Sequence, residues 1–543
     1  MSEPLLIWLK LLLINTRPET HPVYITKVFW THAEGYVQLC SVYSAGGIWQ
    51  TQNKALQETG LAEIGSGIWG QAVAEVEDRD QKGAGDLPVS ERTSKERKAQ
   101  QKSFTVARAY RISVIEGIFA QIYGNLANIG SNFITKFMVL LGATPLQFSI
   151  LSALGQVAAV FQPLGVALMQ RLKRRKRVCV AVTAAGRFLS FFIGAALLFS
   201  SPQAGIIFVL ALLFVSAGLQ AVGSNIWIAW VSDLIPIGIR GRFFARRNQI
   251  LVFSGLVAGY ILSYGTDLFE KGGGALRGCF GRWLDPDVFF NPRNQAWWLA
   301  GIFVLAGILG FIGLAILARQ PDRKRSLQER MSLKRKFSEP LRDRNFRLLL
   351  VFGVWWMLAI GVGSAFWGPF MLKKLNMSLF QMQLYGSLHM ASSLLSYSFW
   401  GRFIDRWGNK RAMFICVLLG GLNPMFWLFM TPANYSILWF EGLLSGFMWA
   451  GNGVVTTNFV LAIAGKGREQ TYSALYGAVG GVAMMASTLL TGAFFPQALR
   501  LGARLLEPEQ VIFGIGGVLR WLSLVPLLAV REKRGLGRGR IGA

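Results

Sequence analysis

The sequence predicts an all-α membrane protein with twelve transmembrane helices arranged as two pseudo-symmetric six-helix halves. Three observations carry this. Of 543 residues, 52% are hydrophobic and only 15% charged. That is more apolar surface than an aqueous globule could bury. Long apolar spans alternate with short polar loops from about residue 112 to 530. The second half also repeats a motif of the first. A disulfide framework is excluded, since the four cysteines at 40, 179, 279 and 416 are few and scattered.

Residues 1–103 differ from the rest and are read as a partly disordered, cytoplasmic N-terminal extension: an accessory region, or an over-long reading of the gene start. Leu5–Ile14 is apolar but interrupted by Lys10, and it is far short of the ~20 residues a spanning helix needs. It lacks a basic n-region and a small-residue cleavage site. Glu75–Lys102 is charged and punctuated by Pro and Gly, and is read as a solvated linker.

The spans fall at about 112–138, 146–170, 178–200, 203–232, 248–266 and 297–318 in the first half. In the second they fall at 348–372, 377–400, 412–432, 434–463, 470–497 and 510–530. A helix satisfies its own backbone in lipid, which an open strand cannot do. The domains are then 104–318, a basic linker 319–347, 348–531, and a basic tail 532–543. Loop charge sets the orientation. RLKRRKR (171–177), RGRFFARR (240–247), DRWGNKR (405–411) and REKRGLGRGR (531–540) lie on one side. The loop 319–347 on that side holds eleven Lys/Arg against four Asp/Glu. The loops after spans 1, 3 and 9 carry no charge. Both termini are therefore expected in the cytoplasm, with the protein in the plasma (inner) membrane. The net charge of +28 is topological, and no nucleic-acid partner is expected.

The duplication is visible in two places. Gly130-Ser131-Asn132-Phe133-Ile134-Thr135-Lys136-Phe137-Met138 matches Gly363-Ser364-Ala365-Phe366-Trp367-Gly368-Pro369-Phe370-Met371 at five of nine positions, offset 233. Spans 4 and 10 align at offset 229, with Ser216 over Ser445 and Ala221 over Ala450. Parallel repeats about the membrane normal are one of the transporter architectures.

The loop Gly401-Arg402-Phe403-Ile404-Asp405-Arg406-Trp407-Gly408-Asn409-Lys410-Arg411 closely resembles the G-x-x-x-D-R-x-G-x-[RK]-[RK] signature of the major facilitator superfamily. The first-half copy, Leu168–Arg175, is degenerate, with Gln170 in the Asp position and Lys173 in place of Gly. The resemblance covers about residues 104–540. It implies a gating loop at Gly401, Asp405, Arg406, Gly408, Lys410 and Arg411, facing Arg240 and Arg242. Topology alone is the plainer explanation of such basic loops, but the spaced glycines and lone Asp at 401–411 favour a gate. The resemblance also implies that spans 1, 4, 7 and 10 line a central cavity.

Those spans carry polar stripes at helical spacing. Span 1 offers Gln121, Asn125, Asn128 and Asn132; span 4 offers Gln220 and Ser224; span 10 offers Trp449, Asn452 and Thr456. Span 7 contributes Trp356. Lone Ser and Thr residues serve as interhelical glue. The amide stripe reads instead as a wetted cavity wall. His389 and Glu441 are the proton-coupling candidates, because His titrates near neutrality and both lie at depth. Arg187 and Arg520, on outer helices, are expected to snorkel or pair structurally, and Glu116 to cap the inner mouth.

No P-loop, H-E-x-x-H or G-x-S-x-G motif occurs, and three His residues leave no His-rich metal site. No enzyme activity or cofactor is expected. The functional expectation is a monomeric secondary transporter that moves a small polar solute by alternating access, coupled to protons. The alternative is a non-transporting multi-pass sensor or scaffold.

Overall fold

The structure is a computed structural model that describes residues 89–160, 175–235, 237–270, 289–322, 340–464, 468–501 and 504–532. The first 88 residues, loop residues 171–174 with Gln170, and the tail beyond 532 lie outside the described residues. The accessory extension, the degenerate first-half loop and the basic tail therefore remain expectations from sequence.

The chain is predominantly helical. The N-terminal group comprises α1 (Val89–Ala127), α2 (Asn132–Leu140), α3 (Pro145–Val160), α4 (Lys176–Phe188), α5 (Pro202–Leu234), α6 (Ile237–Asp267) and α7 (Pro292–Leu317). The C-terminal group comprises α8 (Arg344–Ser364), α9 (Trp367–Lys373), α10 (Leu379–Trp407), α11 (Asn409–Trp427), α12 (Ile437–Ala464), α13 (Glu469–Ala493), α14 (Pro508–Leu522) and α15 (Leu524–Ala529). A small hairpin, β1 (Leu499–Leu501) and β2 (Arg504–Leu506), joins α13 to α14. Among the described residues eight helices are long and apolar enough to cross a membrane.

Local chemistry sets the helix starts. Asn291 accepts the Asn294 N–H ahead of Pro292, a residue pre-shaped for a first turn. Asp343 accepts from the Asn345 and Phe346 N–H groups. Ser378 and Gln381 form a reciprocal capping box at α10. The linker reading of 75–102 is corrected over its last part, because residues 89–102 are helical. That stretch holds Glu, Lys, Arg, Gln and Ala, with no Gly or Pro, and it extends a helix already nucleated downstream.

Three spans read as continuous are broken; span 12 breaks at Ser523 between α14 and α15, and the other two breaks fall on the repeated motif. Between α1 and α2, Gly130 takes φ +86, open to glycine at little cost. Ser131 donates to the Asn125 and Leu126 carbonyls and accepts from Phe133 N–H. Between α8 and α9 the helix breaks at Ala365–Phe366. Span 3 changes character midway, with a ten-residue 3-10 helix, Leu189–Leu198, following α4. Such a run is unusually long for that conformation.

Among the described residues the apolar core forms three clusters. One is shared by both groups and joins Phe137, Phe303, Phe148 and Met138 to Phe370, Phe513, Trp427 and Met382. The others are private: one built on Phe346, Trp356, Trp400 and Phe459 in the C-terminal group, one on Ile226, Trp230, Phe243 and Leu317 in the N-terminal group. The shared cluster lies toward the helix ends remote from the basic loops. The private clusters lie toward the basic-loop ends.

Candidate functional site

Two cavities are lined by residues of both groups, and two others lie one within each group. The widest of these four, about 510 Å³, lies wholly within the N-terminal group, bounded by α1, α3, α4, α5, α6 and the end of α7. Its polar wall is Asn128, Gln220, Ser224, Trp227 and a buried charge cluster. Glu116 there faces two arginines: its Oε1 is 3.5 Å from Arg187 Nη2 and its Oε2 is 3.6 Å from Arg247 Nη2. All three residues are less than one-tenth exposed. Arg187 is fixed by donating to the Gly310 carbonyl at 2.7 Å, and Arg247 by donating to Ser113 at 3.0 and 3.1 Å. Arg247 lies 4.5 Å over the Trp227 ring. Of the two alternatives expected for Arg187, snorkelling or structural pairing, the structure shows pairing. A charge near mid-helix must pair inside the protein, and here it pairs inside a cavity. Glu116 is likewise more than a mouth cap.

The amide stripe of span 1 divides. Gln121 and Asn125 bond each other at 3.0 Å and line a 430 Å³ cavity, with Gln383 and Met390 opposite. Asn132 borders that cavity and a neighbouring one of 390 Å³. Asn128 faces the widest cavity, while its Oδ1 accepts the Ile129 N–H. Gln220 donates to Ser216 at 2.9 Å and to the Tyr123 hydroxyl at 3.4 Å.

A fourth cavity, about 320 Å³, gathers His389, Glu441, Trp449, Tyr385, Asn423 and Arg520. Glu441 is buried. It accepts from the Tyr385 hydroxyl at 2.7 Å and from Asn423 Nδ2 at 2.6 Å. Arg520 donates to the Gly420 carbonyl at 2.9 Å. Arg187 and Arg520 therefore stitch corresponding helix pairs, α4 to α7 and α14 to α11, with donor and acceptor helices exchanged. At offset 233 Arg187 falls on Gly420.

Three sequence candidates lie elsewhere. Trp356 is 1% exposed in the C-terminal core, stacked on Phe352 and pressed against Gly420, rather than on a cavity wall. Its indole is large enough to be drawn wholly into packing. Asn452 is buried and Thr456 half-buried, and neither borders the four cavities above.

The loop 401–411 is built differently from a free connector. Gly401–Trp407 is the last stretch of α10, Gly408 at φ +87 makes the turn, and α11 begins at once. Glu532 clasps it, accepting from Asn409 N–H at 2.6 Å, Asn409 Nδ2 at 2.9 Å and Lys410 N–H at 3.1 Å. A carboxylate is favoured at a helix N-terminus. Lys410 Nζ donates to the Leu528 and Val530 carbonyls. Arg406 and Arg411 both flank the Trp407 ring. Asp405 is exposed. Arg240 and Arg242 fall within α6, and their side chains lie outside the described residues.

Among the described residues, hydrogen bonds between the groups lie toward the opposite end. Asp267, ending α6, accepts from the Leu379 and Phe380 N–H groups that open α10, both at 2.9 Å. Lys373 Nζ reaches the Ala143 carbonyl at 3.3 Å. Further in, Ser152 meets Ser364 at 3.2 Å and the Tyr260 hydroxyl donates to Ser387 at 2.7 Å. Nearby but within one group, Lys374 bonds Glu507 at 2.6 Å, which holds its ammonium above the usual lysine range.

A multi-pass helical protein with polar cavities where two helix groups meet is, by class, a membrane transporter. The model of the Major Facilitator Superfamily matches residues 117–488, and the chain belongs to that family. Solved structures agree in fold. The nucleoside transporter NupG superposes with a TM-score of 0.56 at 13% identity, covering 78% of this chain and 98% of that one. A D-xylose-proton symporter gives 0.53 at 16%, covering 79% and 97%. A POT family transporter in complex with a thioalcohol-conjugated peptide gives 0.52 at 13%, covering 78% and 95%. No curated protein matches the sequence.

Proposed function

We propose that the chain is a secondary active transporter that moves a small polar solute by alternating access between two six-helix halves, residues 104–318 and 348–531. Both termini and the basic loops would be cytoplasmic. In that frame the structure corresponds to an inward-facing state. The observation that carries this reading is the polarity of the inter-half contacts. A shared apolar core and the Asp267 and Lys373 bonds join the halves at the end away from the basic loops. At the basic-loop end each half keeps a private core. Rocking would exchange these ends around the cavities between them.

Protons are the coupling ion in this reading, with Glu441 and His389 lining one cavity. A change of protonation on Glu441 would be felt by Tyr385 and Asn423, which hold its two oxygens. Asp405 and the loop around it would close the inner side by meeting the start of α6, the contact that an inward-facing state lacks. The solute-binding wall is assigned to the amides of span 1 with Gln220, Ser224 and Trp449. No observation favours a non-transporting sensor or scaffold. Flux of a labelled solute panel into proteoliposomes, with and without an imposed pH gradient, tests the proposal. Solute-specific, gradient-driven accumulation is expected. Absence of flux for every class, by protein that binds solute, would overturn it.

A further inference from the structure

We infer that the widest cavity is an oxyanion site: its solutes carry a carboxylate or phosphoryl group that seats against Arg187 and Arg247, beside an apolar body. The inference rests on the transport reading and deepens it. Two guanidinium groups and one carboxylate line this cavity, a net charge of +1 among its described residues. Glu116 can neutralise one arginine. A second buried cation normally has a partner of its own.

The geometry shows that the existing pairs are loose. Charge-assisted N–H···O contacts close to about 2.7–2.9 Å, but the Glu116 oxygens stand 3.5 and 3.6 Å from the arginine nitrogens. The Glu116 Oε2 atom, Arg187 Nε and the Trp227 indole N–H are buried with no hydrogen-bond partner among the described residues. The arginines are not mobile side chains waiting to collapse onto the acid. Arg187 is tied to the Gly310 carbonyl, and Arg247 is tied to Ser113 and lies over Trp227. They hold a preorganised gap between donors that an incoming oxyanion fills, while Glu116 competes for the same guanidinium faces.

Gly124, Ala120, Ala217 and Ala221, which also line the cavity, are small and apolar. They leave room for a hydrocarbon or aromatic body beside Trp227. At about 510 Å³ the cavity has the size of a small-molecule site.

Thermal unfolding of the purified full chain, titrated with four shape-matched probes, tests this. Benzoate and phenyl phosphate should raise the midpoint, and the ratio of their effects identifies which oxyanion is preferred. Benzamide and benzylammonium should not raise it. Arg247→Gln should abolish the benzoate response. Glu116→Gln, which removes the competitor and preserves shape, should tighten benzoate about tenfold, the factor a recovered charge-assisted contact carries. This gain keeps the test decisive if Arg247→Gln fails to fold. Equal stabilisation by benzamide or benzylammonium, no response to any probe, or unchanged benzoate affinity in Glu116→Gln overturns the inference. If another solute class then shows flux, the transport reading survives without it. Absence of flux for all classes would remove the transport reading itself.

Discussion

Asp267→Asn is expected to unlatch the end of the molecule remote from the basic loops. Both oxygens of this carboxylate, 9% exposed, accept the first two N–H groups of α10 at 2.9 Å. Those are orphan donors at the positive end of a helix. The contact crosses between halves, so it exists only while that end is closed. The Ser378–Gln381 box also caps α10, so the helix itself should survive the change. A hydrogen bond to a charged group contributes about 1.5–3 kcal/mol. Asparagine retains one acceptor and loses the charge, so the loss is about 1–2 kcal/mol, a factor of roughly 5–30 between open and closed populations. Thr135, on the inter-half cavity facing Gly368, is the reporter. With the native cysteines replaced, Thr135→Cys should label slowly with an impermeant maleimide from the non-cytoplasmic side. Adding Asp267→Asn should speed labelling by that factor. An unchanged rate, with the fold intact, would show that the bond carries no weight in the gate and would refute the reasoning.

Other outcomes follow from the same account. Asn128→Leu should raise the solute KM while expression holds, since one cavity-facing amide is lost at a cost of about 1 kcal/mol; normal flux per molecule with collapsed expression would make Asn128 a turn-forming residue only. Gly408→Ala should lower the melting temperature, because a Cβ there would stand 2.8 Å from the Glu532 carboxylate and φ +87 is strained for alanine; a loss of about 1–2 kcal/mol is expected, and an unchanged melt would contradict it. Asp405→Asn should favour the inward-open state about fivefold, from roughly 1 kcal/mol of helix-terminus charge effect, read as faster labelling at the cytoplasmic start of α6. Glu441→Gln should abolish acceleration of flux by a pH gradient while counterflow persists; retained acceleration would move the coupling role to His389 or elsewhere.

The sequence disclosed whatever depends on local pattern. Apolar span lengths located the helices, and the Gly-Ser repeat marked the points where two of them break, though the break itself emerged only with Ser131 folded back on the Asn125 and Leu126 carbonyls. The span 1 stripe, whose four amides all border cavities, could be read as cavity wall because amides at helical spacing have few other uses in lipid. The Glu116–Arg187–Arg247 cluster was not legible. Its members are far apart in sequence on α1, α4 and α6, and each alone reads as a cap, a snorkelling or structurally paired residue, or a loop cation. Trp356 misled for the opposite reason, since an indole on a cavity-lining span is as suited to packing as to a solute. The Glu532 clasp on α11 was hidden inside a tail whose net charge is basic. Its signal was a lone acid following the last span.

Alternating access is tested most directly by distances across both ends at once. Spin labels at Arg246 and Arg402 report the basic-loop end, and labels at Leu146 and Phe494 report the opposite end; all four positions are exposed. Pulsed electron–electron resonance in liposomes should give a long first distance and a short second one in the native sequence. In Asp267→Asn a population with the reverse pattern should appear, the two distances changing in opposite senses. Distances that lengthen together, or that stay fixed at both ends in the variant and across transported solutes, would contradict the account.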